Sequence, residues 1–382
     1  MFYEINLKKF WRDPYPDLKQ IQVIAPVVFV PQLNAALITR RLDVFEQEKR
    51  IEIFSSRQPD GLMTRLMGEN MMRKDGECHR KERREIFPSL SPRTVKNVWF
   101  QKFEASTLTI IDNLRGRKNI DLVVDFAMPV SGAALIAMTG LREMKPAEMD
   151  QVSQAMINGC ANYIGDATIE QTCNVATADI DDHIDRVLNN AIEISDKSVL
   201  SVLYHAGQSL ESIRANIKLV ISGGQNEPRD AIAGTVAAVL QNPKARVYVE
   251  RTSDWRKAFL EYARWMSPIG MSPRQVTEDQ SILGYNFKKD DRVFFMFGAA
   301  NRDPRVFVNP DEYDLTREIG QSIHFGAGPH FCAGAAASSV LITKVALPLL
   351  FKAFPNMELR NPVAWGGWAF RGPLAVNLSL GS

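Results

Sequence analysis

Over most of this chain apolar residues recur every three or four positions, the spacing that gathers them on one face of a helix. Phe103, Leu108, Ile111 and Leu114 follow it, as do Ile180, Ile184, Val187 and Leu188, so the stretch 95–205 reads as amphipathic helices. The longest such pattern covers 209–241. Leu210, Ile213, Ile217, Val220 and Ile221 lead into GGQNEPRD, and Ile232, Val236, Val239 and Leu240 follow it. Strand-like runs are shorter. Val23–Val30 and Ala35–Thr39 lie beside an early helix and form a small sheet, and Val293, Phe295 and Phe297 alternate with Phe294 and Met296. After residue 332, AGAAASSVLITKVALPLLFKAF reads as a buried helix whose alanines allow close packing. The pattern predicts a mainly α chain with a smaller β-rich region, without repeats or a low-complexity linker.

The 209–241 pattern is interrupted by Gly223, Gly224 and Pro228. A proline inside a helix costs about 3 kcal/mol. It offers no N–H to the carbonyl four residues back, here that of Gly224. The expectation is one long helix with a backbone acceptor left open in its middle, a groove for dioxygen and water.

The stretch Ile323–Gly334 reads IHFGAGPHFCAG. It carries Cys332 in a glycine-rich loop ahead of the alanine-rich helix. Gly326 and Gly328 permit positive φ and close backbone approach, Phe325 can shield the sulfur, and Gly334 opens the helix. Near a helix N-terminus, backbone N–H groups and the dipole favour an anionic sulfur. Phe325, Gly326, Gly328, His330, Cys332 and Gly334 fit the pattern F-G-x-G-x-H-x-C-x-G. This resembles the haem-thiolate loop of the cytochrome P450 family. The bland alternative is a structural cysteine in a Gly/Ala-rich turn.

The resemblance implies a P450 fold over 1–382 as a single haem domain, with one haem b and Cys332 as the iron ligand. His79 and Arg83, four apart in CHRKERREIFPSLSP, resemble the family's haem-propionate helix. Arg274 and His330 match further propionate ligands, a guanidinium supplying bidentate contacts that lysine supplies poorly. Glu261, Arg264 and Arg317 match the family's E-R-R scaffold; as an isolated surface pair the first two would be worth only tenths of a kcal/mol. The Met-rich segment 61–75 corresponds to the loop over the active site, or is core. Ile269, Met271, Ser272 and Phe370 fall where the family's chain touches substrate, and core packing explains each about as well. Arg73, Lys74, Arg80, Lys81 and Arg84 suit an acidic redox partner, or are solvated surface. His183 and His205 sit in no ligand pattern.

In one place the chain departs from the family. Most members carry an acid and then a threonine after the paired glycines; this chain has Asn226 and Glu227. With WGGWAFRGP near the C-terminus, this resembles a minority group with a Gln-Glu-Pro version, among them demethylases of small methoxyphenols. Cleaving an O–O bond needs a proton on the far oxygen. A carboxyl there could supply it as general acid and, if desolvated, would have a raised pKa. Peroxide could then serve as well as dioxygen plus electrons. The alternative is a structural ion pair of Glu227 with Arg229 or Arg80.

Composition changes little in this picture. Of the 382 residues 45% are hydrophobic and 24% charged, and the net charge is +2, so no overall electrostatic case for nucleic acid exists. Four cysteines without zinc spacing point to a reducing compartment. The polar N-terminus resembles neither a signal peptide nor a membrane anchor, and no dinucleotide or P-loop motif suggests a fused reductase. The expectation is a soluble, cytoplasmic bacterial enzyme with a small-molecule substrate. Its electrons would come from a separate ferredoxin or flavodoxin and reductase, unless hydrogen peroxide serves. Oxidative O-demethylation of a methoxyaromatic is the specific expectation. Tailoring of a secondary metabolite or terpenoid, and a haem sensor that does not oxygenate, are the alternatives.

Overall fold

The structure, a computed structural model, describes residues 1–190 and 196–381. The chain divides into two compact units. The first comprises Met1–Gln58, Gly234–Cys332 and Val363–Leu374; the second comprises Pro59–Ala233, Ala333–Pro362 and Ala375–Ser382.

The first unit holds the β-rich region. Its five-stranded sheet runs Val27–Val30, Ala35–Ile38, Arg292–Phe295, Ser272–Val276, Phe54–Ser55. The first two form an antiparallel hairpin within the small sheet that the apolar runs predict, with Val30 opposite Ala35. The run starts later than expected: Val23 and Ile24 end the helix Tyr15–Ile24 and are exposed. Pro26 is the cause, because a residue before proline is driven out of helical backbone, and Ala25 is fully extended. The later alternation also stops early. The strand ends at Phe295, and Phe297–Ala300 forms a helical turn whose Gly298 N–H bonds Gly270 O at 2.9 Å.

Strand register decides where Arg274 points. Arg274 pairs with Val293 and Ser272 with Phe295. Alternation puts Arg274 on the face shared by Val276, Val293 and Phe295, all members of one buried cluster with Ile38, Val44, Phe54 and Phe287. Helix Trp255–Met266 brings Glu261 and Arg264 inward, each 0% exposed. Gly234 is needed where helix Asn226–Gln241 meets it: a Cβ there would lie 2.1 Å from the Tyr262 hydroxyl.

The second unit is mainly helical, with helices at Gly76–Leu90, Phe100–Leu114, Met128–Thr139, Pro146–Cys160, Ala167–Asn190 and Leu210–Ser222. Phe103, Ile111 and Leu114 are buried as the spacing predicts, whereas Leu108 is exposed. Residues 191–195 of the predicted helical stretch lie outside the described residues. The Met-rich segment is a short helix, Leu62–Met67, and a 3-10 turn, Met71–Arg73, with Met67 and Met71 buried. The run Ala335–Ala353 is long and apolar enough to cross a membrane by length and composition. Its middle is π-helical, and Leu341, Ile342, Val345, Leu347 and Leu350 are buried.

The expected continuous helix over 209–241 is two helices, Leu210–Ser222 and Asn226–Gln241. Pro228 falls in the first turn of the second, where N–H groups have no intrahelical acceptor, so the expected cost is not incurred. Nor is the Gly224 carbonyl open: Ser131 Oγ donates to it at 3.4 Å and to Gln225 O at 2.7 Å. Gly224 has its own reason. A Cβ there would sit 2.5 Å from Val220 O and 2.9 Å from Leu135 Cδ1.

Candidate functional site

In the first unit the cysteine loop is stitched by its own backbone. Cys332 N–H donates to Phe325 O at 2.9 Å, and Gly326 N–H to Ile323 O at 2.9 Å. Gly326 and Gly328 have φ of +74° and +65°, which only glycine adopts easily. His330 ends a 3-10 turn, Gly328–His330. The Phe325 ring packs on His324, Phe259 and Phe331, with centroids 4.6, 6.2 and 6.2 Å away. Burial pushes the His324 imidazole down to about 4, so it is neutral. Cys332 is partly exposed and in no disulfide. A cysteine so placed, with its N–H already used by the loop, fits a thiolate ligand to haem.

Arg274 is 2% exposed and donates to Ser272 Oγ and, at 2.9 Å, to Pro273 O. A second guanidinium nitrogen lies 3.5 Å from a carboxylate that the sequence did not mark, Glu48. The other Glu48 oxygen accepts the Ala327 N–H at 2.8 Å. Glu48 is 2% exposed, and burial pushes it up to about 7 against the opposing pull of Arg274 and the Ala327 N–H. In sequence it sits in EQEKRIE, which reads as a solvated charge run. No signal in the sequence distinguishes it.

The E-R-R residues come together, Glu261 and Arg264 buried and Arg317 half-buried. Arg264 donates to both Glu261 oxygens at 2.8 Å, and Arg317 Nε to Oε1 at 3.1 Å. Arg264 also donates to Asn301 O, Pro310 O and Glu312 O, so the triad pins the segment 301–317 to the helix.

Three of the four substrate candidates lie in one segment, and the fourth lies across from it. Ile269 pairs with Phe370 in an antiparallel bridge, flanked by Gly270 N–H to Ala369 O at 2.8 Å. A Cβ on Gly270 would sit 1.9 Å from Trp368 O, so glycine sets this approach. Met271 is buried, and the Ser272 hydroxyl is engaged by Arg274.

In the second unit Glu227 stands in the first turn of helix Asn226–Gln241. Both carboxylate oxygens are closed to solvent with no hydrogen-bond partner from another residue. Burial pushes the group up to about 8, with Asp230 adding and its own N–H and Arg229 opposing. It is therefore protonated at neutral pH. The ion-pair alternative does not form: Arg229 pairs with Asp150 at 2.8 Å and Asp230 at 2.9 Å, and Arg80 with Glu77 at 2.9 Å. Asn226 donates to Gln154 Oε1 at 3.0 Å, and Gln225 donates to Asp150 Oδ1 at 2.9 Å. These bonds to helix Pro146–Cys160 fix the turn that carries Glu227.

His79 and Arg83 lie one turn apart on helix Gly76–Leu90, His79 buried and Arg83 partly so. The expected cation group is thinner than its sequence. Arg73 is buried, Lys74 bonds Glu82, and Arg80 and Arg84 both pair with Glu77. His183 is buried against Glu148 and Arg186, and His205 is exposed.

Comparison with known proteins agrees with this geometry. The family model described as Cytochrome P450 matches residues 256–355, which hold the E-R-R triad, Arg274 and the cysteine loop. Cytochrome P450 CYP107DY1 of Priestia megaterium is 26% identical over 82% of this chain and 77% of its own length. The epothilone C/D epoxidase of Sorangium cellulosum is 25% identical over 96% of this chain and 92% of its own. The crystal structure of P450BioI with an acyl carrier protein ligated to hexadec-9Z-enoic acid superposes with a TM-score of 0.87 at 20% identity, covering 97% of this chain and 99% of that one. The chain has the P450 fold, a segment that matches the Cytochrome P450 family model and similarity to P450 relatives along most of its length, as a haem b monooxygenase of that kind would.

Proposed function

We propose that the whole chain, 1–382, is one haem domain that oxidises a small organic substrate with a carboxyl as its proton donor. The observation that carries this is the Glu227 carboxyl, buried, unpartnered and protonated at neutral pH. Cys332 is the residue proposed to hold the iron, with His79, Arg83, Arg274 and His330 as propionate partners and Phe325 as the shield of the sulfur. Thiolate-ligated haem supplies cleavage of the O–O bond. Glu227 supplies the proton that cleavage requires, and takes one back when hydrogen peroxide is the oxidant. Asn226, tied to Gln154, holds the turn in place. Electrons otherwise come from a separate ferredoxin or flavodoxin system.

The proposed reaction is O-demethylation of a methoxyaromatic. One oxygen atom is inserted into a methyl C–H bond, giving a hemiacetal that collapses to a phenol and formaldehyde; with peroxide, the second oxygen leaves as water. Ile269, Met271, Ser272 and Phe370 are the proposed substrate contacts. The Ile269–Phe370 bridge supports a wall of one aromatic and one branched side chain, suited to a flat ring. A second reading, tailoring of a secondary metabolite, is favoured by relatives named for epothilone epoxidation and polyketide biosynthesis.

The test is a screen of methoxyphenols by displacement of the ferric spectrum, followed by a formaldehyde assay with added peroxide and no reductase. Formaldehyde from wild type, and at least about a tenfold loss in Glu227→Gln, a typical contribution for one general acid being larger still, is the expected result. Equal rates in the two remove Glu227 from the mechanism. Formaldehyde from none of the methoxyphenols, with turnover of a polyketide, selects the second reading.

A further inference from the structure

Glu48 is a buried carboxylate with no part in the chemistry above. It follows helix Arg41–Gln47, its own N–H bonding Val44 O at 2.9 Å. Its two oxygens face two different groups, the Ala327 N–H at 2.8 Å and Arg274 at 3.5 Å. The cysteine loop passes directly against it. A Cβ on Gly326 would sit 3.2 Å from the Glu48 carboxylate, and one on Gly328 3.2 Å from Lys49 Cα. The two positive-φ glycines thus make room for this segment. A buried carboxylate is costly unless paired and hydrogen-bonded, and these two groups are its compensation.

We infer that Glu48 is a positioning residue for haem: it clamps Arg274 to the Cys332 loop, so that the cation offered to a propionate and the sulfur offered to iron are held in one register. The inference rests on the reading of Arg274 and Cys332 as haem-binding residues. Only a carboxylate does this job at that place. It accepts on both oxygens, from an N–H on one side and a guanidinium on the other, whereas an amide must turn its own NH2 toward one of them. Glu48→Gln therefore keeps the Ala327 bond and breaks the clamp at Arg274.

The experiment measures the rate at which holoprotein loses haem to an excess of apo-globin. It compares wild type, Glu48→Gln, Arg274→Gln and the double variant, with the reduced carbonyl spectrum as a check that each remains folded around a thiolate. Glu48→Gln is expected to lose haem faster by on the order of tenfold, the coupling typical of contacting charged side chains. Arg274→Gln is also faster, and adding Glu48→Gln to it accelerates nothing further. A purely structural role for Glu48 would give the same factor in both backgrounds, and that result overturns the inference. So does a wild-type rate in Glu48→Gln. A wild-type rate in Arg274→Gln overturns instead the assignment of Arg274 to a propionate. Should Glu48→Gln not fold, Glu48→Asp, which keeps the charge but shortens the reach, replaces it with the same expected pattern.

Discussion

At the scale of single residues, protonation state is the property that matters at position 227. A carboxyl in water is ionised at neutral pH, but burial holds Glu227 protonated up to about pH 8. Two consequences follow, one in turnover and one in stability. Peroxide-driven turnover is expected to be high below pH 8 and to fall as pH rises through it, while Glu227→Gln gives a profile without that limb. Stability carries the same group. The unfolded chain ionises near 4.5 and the folded one near 8, so the folded state binds the extra proton between them. Stability contributed by this site is then fully present below about 4.5 and declines as pH rises towards 8. Urea titrations of wild type and Glu227→Gln across that window check it; a wild-type curve that gains on the variant as pH rises contradicts the assignment.

Some local arrangements were legible in the sequence because spacing alone sets them. Cys332 and its glycines form a contiguous pattern, and Glu261 and Arg264 are one helical turn apart. Their burial at 0% exposure was not legible, since the same spacing on a surface means little. Glu48 was illegible for the converse reason: its partners Arg274 and Ala327 lie 226 and 279 positions away, and it sits among Glu46, Gln47, Lys49 and Arg50.

At the scale of elements, the break between Leu210–Ser222 and Asn226–Gln241 is the decisive feature. The same apolar spacing resumes on both sides of it, so the pattern predicted one interrupted helix. What ends the first helix is local: two glycines, and a serine on the neighbouring helix that takes the freed carbonyls. Gly224→Ala places a Cβ against a backbone oxygen that cannot move aside. It is expected to cost about 1–3 kcal/mol of stability and to lower Glu227-dependent turnover with it. An unchanged thermal midpoint and rate would show that the turn tolerates a side chain. The E-R-R triad makes a larger demand. Glu261→Gln leaves the buried Arg264 and the half-buried Arg317 guanidinium groups short of an anion, and a loss of roughly 3–5 kcal/mol is expected, read as a lower urea midpoint. A shift below about 1 kcal/mol, the value of a surface pair, would contradict that account.

At the scale of the molecule, fold class is the part that the chain declares most openly. The helical periodicity, the short alternating strands and the loop around residue 332 all agree, and the structural neighbours share the fold along nearly the full length. Substrate is the part it declares least. Ile269, Met271 and Phe370 are ordinary apolar residues, and only the strand bridge shows that two of them meet. Relatives at 22–25% identity are named for biotin biosynthesis, polyketide biosynthesis and epothilone epoxidation. Substrate choice rests on a few side chains on a common scaffold. All of the chemistry proposed here requires that the sulfur at 332 hold the iron. The most direct measurement is the absorption spectrum of the dithionite-reduced carbonyl adduct of the purified protein and of Cys332→Ser. Wild type is expected to show the strongly red-shifted Soret band of a thiolate-ligated haem, and Cys332→Ser to lose it. A wild-type adduct with the band of an imidazole-ligated haem, or a thiolate band that survives Cys332→Ser, contradicts the account.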